Sequence, residues 1–104
     1  MVPSRAKPAI TASTVVVAAR GQVSSDLAGE AVILSLNSGM YYGLNQVGAQ
    51  IWTLLSTPIR VGDICDRIVR QYDVELDRCE RDVLNVLGEL AAHGLIEVAD
   101  GMDP

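Results

Sequence analysis

His93 is the single histidine of the sequence, and Cys65 and Cys79 are its two cysteines. Nucleophilic catalysis needs a Ser or Cys within reach of a base, and nothing places either beside His93. A zinc site needs about four ligands at close spacing, more than two cysteines and one histidine supply here. No CxxC pair occurs, and both cysteines fall at apolar helix positions, so free buried thiols are expected. Asp63, Asp66, Asp77, Glu80, Asp82 and Glu89 alternate with arginines. The i,i+4 pairs Asp66–Arg70 and Asp77–Arg81 read as solvated ion pairs rather than an acid–base couple. Gly43 and Gly48 lack the following Lys of a phosphate loop. The residues therefore point away from an enzyme, and no cofactor or metal is expected.

The composition narrows the partners. A chain of 104 residues with 49% apolar content holds one domain with a modest core. A formal charge of −5 weighs against nucleic acid, which is gripped mainly by Lys and Arg. No apolar run approaches the ~18 residues of a membrane span. Arg5 and Lys7 precede the apolar run VVVAA at 15–19, but Pro8, Thr11, Ser13 and Thr14 break any signal-peptide core. A cytoplasmic protein is expected.

Chemistry being scarce, the concentration of aromatics is the next signal. Tyr41, Tyr42 and Trp52, three of the four aromatic residues, fall in SGMYYGLNQVGAQIW, residues 38–52. Alternation and turn residues around it predict three strands: QVSSDLA, EAVILSL and MYYGL, joined at Ala28–Gly29 and at Asn37–Ser38–Gly39. Val32, Leu34 and Leu36 share one face of the second strand, with Ala31, Ile33 and Ser35 opposite. In the third, Met40, Tyr42 and Leu44 share a face, and Tyr41 and Gly43 point the other way.

Asn45 is a suitable N-cap for a first helix, NQVGAQIWTLL, ended by Ser56–Thr57–Pro58. A second helix is expected over VGDICDRIVRQY. A third and longest, roughly 78–92, is expected to be capped by Asp77 and closed by Gly94. Residues 14–19 have strand propensity without clear alternation and either pair elsewhere in the fold or form a leading extended segment. LIEV at 95–98 is a closing extended segment. The organisation is a tail over 1–13, a domain over 14–98 and a second tail over 99–104. Three strands followed by three helices make an α+β domain.

In a meander the second strand is central, which leaves GMYYGL at an edge. Edge strands are normally guarded by charge or proline, and 39–44 have neither. The third helix carries Cys79, Val83, Val86, Leu87 and Leu90 as a core stripe. Leu84, Ala91 and Gly88 widen its apolar arc to roughly 160°. Glycine inside a helix costs about 1 kcal/mol, so close packing at Gly88 is expected. An unguarded strand beside a wide helix face makes a groove for an extended peptide.

Several local runs then resemble one family. G-E-A-V at 29–32, Y-Y-G-L-N at 41–45, G-x-x-I-W at 48–52, Y-D-V at 72–74 and D-V-L-x-x-L-x-x-L-x-x-x-G-L-I at 82–96 occur in order across about 21–98. The succession resembles the PqqD-like family, the recognition elements of ribosomal peptide biosynthesis, most of all the standalone members of lasso-peptide clusters.

That resemblance implies a winged-helix-like domain, a three-stranded antiparallel sheet followed by three helices. It implies a non-catalytic protein that takes a precursor's leader peptide as an added strand. It further implies delivery to a leader peptidase of the cysteine protease class, and to a cyclase. The strand wall carried over is Gly39, Met40, Tyr41, Tyr42, Gly43 and Leu44. The helix wall is drawn from Asp82, Val83, Val86, Glu89 and Leu90, with the Leu84–Ala91 flank as the competing side.

Two other readings fit the same elements. One is a winged-helix DNA-binding regulator, disfavoured by a third helix that sets Arg78 and Arg81 against Glu80, Asp82 and Glu89. The other is weak homodimerisation through the open edge.

Overall fold

The computed structural model describes residues 10–99. Alternating apolar residues and left-handed turns build the first sheet. Strands β2 (Gln22–Leu27), β3 (Glu30–Ser35) and β4 (Tyr41–Leu44) form an antiparallel meander in the order β2-β3-β4, preceded in the chain by β1 (Val15–Ala18). Ala28 and Gly29 take φ of 57° and 86° in the two-residue turn, and Asp26 Oδ1 accepts from the Gly29 N–H at 3.2 Å. That turn matches the twist of the strands it joins. Ala31, Ile33 and Ser35 are the buried face of β3.

Asn45 stops the strand and starts the helix. Its Oδ1 accepts from the Gly48 N–H at 2.9 Å, capping α1 (Gln46–Leu54) as the sequence leads one to expect. After β5 (Ile59–Arg60), α2 (Val61–Tyr72) ends on Asp73 in the left-handed region, at φ 52°. α3 (Leu76–Ala92) begins two residues earlier than expected. Its N-cap is Glu75, without a side-chain cap bond, and Asp77 lies inside the first turn. Asp77 acts there through the helix dipole rather than as a cap. Gly94, at φ 72°, turns the chain into β6 (Ile96–Val98).

A second antiparallel sheet, in the order β5-β1-β6, adds to the expected α+β architecture. Residues 14–19 supply its centre, pairing Val16 with Ile59 on one side and with Val98 on the other. Gln22 ties the two sheets, its side-chain amide donating to the carbonyls of Ala19 and Leu95. The expected tails lie in part outside the described residues, at 1–9 and 100–104. Of their described residues, Ile10 packs on the core, Ala12 accepts from the Gly62 N–H, and Ala99 donates to Val15.

The core lies between the helices and both sheets. Val16, Ile33, Leu55, Val61, Ile64 and Leu87 are wholly buried, with Ile51, Val83, Leu90 and Leu95 nearly so. Cys65 and Cys79 are free and buried across the α2–α3 contact, with the Cys79 thiol 3.8 Å from the Cys65 carbonyl. The ion pair among the described residues is Arg78–Asp82 at 3.9 Å, exposed on α3, in place of the two pairs expected from spacing. No helix of the described residues is long and apolar enough to cross a membrane.

Candidate functional site

β4 pairs with β3 alone. Tyr41, Tyr42, Gly43 and Leu44 stand opposite Leu34, Ile33, Val32 and Ala31. Among the described residues no strand lies on the other side of β4. Its outward N–H and C=O groups are therefore available, with neither charge nor proline to deter a second strand.

A cavity of about 320 Å³ runs along that free edge. Its strand wall is Tyr41, Tyr42, Gly43 and Leu44, and its helix wall is Val86, Glu89, Leu90 and His93. Those four helix residues sit at i, i+3, i+4 and i+7, one stripe of α3. The Val86–Leu90 flank thus faces the strand, and Leu84 and Ala91 pack elsewhere against the core. Leu44, Val86 and Leu90 give the groove apolar lining, and Tyr41, Glu89 and His93 give it polar lining.

Alternation divides the tyrosines. Tyr42 shares the inner face of Ile33 and is half-buried, its ring 4.7 Å from His93. Tyr41 faces outward and is 70% exposed. Gly43 would meet nothing within 4 Å if it carried a Cβ, so the backbone there is open to approach. Gly48, by contrast, sits where a Cβ would come 3.2 Å from Leu44, and its lack of one lets α1 close up behind the strand.

The remaining expected residues fall elsewhere. Gly39 turns the chain at φ 73°, and Met40 accepts from the Ser35 N–H with its side chain 56% exposed. Both precede the groove rather than line it. Val83 is only 2% exposed and belongs to the core. With Asp82 it borders a second, more apolar cavity of about 120 Å³ between the three helices, with Val47, Ile51, Tyr72 and Cys79. Val86 borders both cavities, so they adjoin.

His93 is the groove residue absent from the walls expected from sequence, a histidine at a helix end being accounted for by the helix dipole. Its position seven residues after Val86 was the available signal. The thiols are poor candidates for chemistry. Burial, followed by the neighbouring Cys79, pushes Cys65 up to about 12, and burial also raises Cys79.

The comparisons with known proteins bear on this geometry. The family described as Coenzyme PQQ synthesis protein D (PqqD) matches residues 30–96, more than half of the chain. The chain belongs to the PqqD family. Two solved structures are also similar to this chain. TbiB1 in complex with the TbiA(beta) leader peptide is 37% identical, with a TM-score of 0.73 over 78% of this chain and 94% of TbiB1. A lasso peptide synthetase B1 complexed with the leader peptide is 23% identical, with a TM-score of 0.66 over 79% of this chain and 96% of that one, a likeness of fold. No curated protein matches.

Proposed function

We propose that this PqqD-family chain binds the leader segment of a ribosomally made precursor peptide. The leader adds as a strand to β4, with its inward side chains against Val86, Glu89, Leu90 and His93. One observation carries the reading: a free, uncharged strand edge lies beside a helix-walled groove, in a chain 37% identical to a protein solved with its leader peptide. Main-chain bonds supply affinity and the groove supplies selectivity.

Its role is presentation, not catalysis. The bound precursor passes to a leader peptidase of the cysteine protease class and then to a cyclase, in lasso-peptide biosynthesis in the cytoplasm. Gly39 and Met40 shape the approach to β4. Asp82 and Val83 act at the adjoining cavity, which lies past the Leu44 end of the strand.

The DNA-binding alternative finds no support in the charges. Of the cations on α3, Arg78 is held by Asp82, and Arg81 stands among acids.

Titration of a fluorescently labelled leader peptide into the protein tests the reading. Saturable binding at micromolar or tighter affinity is expected, and no saturable binding overturns it.

A further inference from the structure

The helix wall of the groove has two rows that differ in depth and in chemistry. Leu90 is 4% exposed and Val86 half-buried, whereas Glu89 and His93 are exposed. Val86 and Leu90 thus form an apolar floor, with Glu89 and His93 as a polar rim beside it. Within each row the two residues are four apart, a repeat of about 6 Å along a helix. Side chains on one face of an extended peptide repeat at about 6.8 Å. The two repeats nearly match, so successive inward residues of a strand on β4 can each meet one floor residue and one rim residue.

This layout selects the shape of an incoming side chain. A short apolar one covers the floor and leaves the rim in water. A long one with an apolar stem and a polar head covers the floor and ends at the rim, the way Lys and Arg lie on protein surfaces.

Charge selects the head group. Among the described residues that line the groove, Glu89 is the only carboxylate. On the same helix Asp82 is matched by Arg78 at 3.9 Å, but no ion pair of the described residues involves Glu89. The groove therefore offers an unmatched negative charge, on a chain whose net charge is already −5. An acidic side chain there is repelled, and a basic one is attracted.

We infer that Glu89 sets leader specificity by taking the head of a Lys or Arg whose stem lies on Val86 and Leu90. The bound strand covers one side of this pair, so the pair is worth more than a fully exposed one. The inference rests on the leader-binding reading, and its test separates the two.

The experiment titrates the full chain with the labelled leader peptide and with versions in which each Lys or Arg in turn becomes Met. Glu89→Gln is expected to lower affinity about three- to tenfold, and one of the leader replacements to do the same. Combined, those two changes lower affinity no further than either alone, which identifies the pair. Glu80→Gln removes the same charge from α3 away from the groove, at a cavity bordered by Cys65 and Leu76, and leaves affinity within about twofold. Unchanged affinity of Glu89→Gln overturns the inference, as does an equal loss from Glu80→Gln. So does a saturably bound leader that carries neither Lys nor Arg. Saturable binding in which every leader replacement adds to Glu89→Gln overturns the role of Glu89 and leaves the leader reading standing. Absence of saturable binding by the wild type refutes the leader reading, and this inference with it.

Discussion

The His93 ring, at the C-terminal end of α3, lies 4.7 Å from the Tyr42 ring on β4, tilted by 42°. This contact joins the helix wall of the groove to its strand wall. A peptide strand added along β4 would pass beside this ring pair.

His93→Ala removes one residue of the helix wall and leaves the core intact, since His93 is exposed at the helix end. Leader affinity is expected to fall several-fold, by roughly 1 kcal/mol, with the melting temperature little changed. Fluorescence polarisation and thermal denaturation together check it; unchanged affinity removes His93 from the site.

Gly88 has no packing role that demands glycine. It is exposed in the middle of α3, and an added Cβ would meet nothing within 4 Å. The close packing expected from sequence is absent. Gly88→Ala is therefore expected to stabilise the fold by about 1 kcal/mol, read by urea denaturation, without altering peptide affinity.

Asn45 holds the junction between the edge strand and α1. Asn45→Ala leaves the Gly48 N–H without its acceptor, and a loss of about 1 kcal/mol in unfolding free energy is expected. Because Leu44 precedes it, peptide affinity should fall with stability rather than independently of it.

The thiols give a pH signature. Burial holds Cys65 protonated up to about 12, against an ordinary 9.0 that applies in the unfolded chain. A raised thiol value stabilises nothing below the ordinary value, where both states are neutral. Above it the unfolded chain ionises first, so stability falls as pH rises from about 9 toward 12. Cys65→Ala should flatten that slope in denaturant titrations. The folded protein should also resist a thiol-specific disulfide reagent at pH 8 until denatured.

Local patterning carried much of this structure into the sequence. Alternation and positive-φ turn residues place β2 to β4, and the apolar periodicity from Val61 to Tyr72 matches α2 from end to end. The groove's strand residues Tyr41 to Leu44 follow from the meander, as do Val86, Glu89 and Leu90 from the helix wheel. The second sheet was less legible because its partners are distant and short. β5 is two residues long and gains its identity only by pairing with β1. Val83 falls both in the core stripe and on the expected helix wall, because wheel position separates apolar from polar and not the core-facing half of an apolar arc from the groove-facing half. It is buried and borders the inter-helix cavity. His93 was hidden because a helix-end histidine is explained equally well by the dipole.

The most direct test maps where the leader sits. Amide hydrogen exchange should be measured residue by residue, with and without saturating leader peptide. Slowed exchange at alternate amides of Tyr41–Leu44, with shifts in Val86, Glu89 and Leu90 and none along β5-β1-β6, is the predicted result. Saturable binding that protects the second sheet, or leaves the β4 amides exchanging as before, would contradict it.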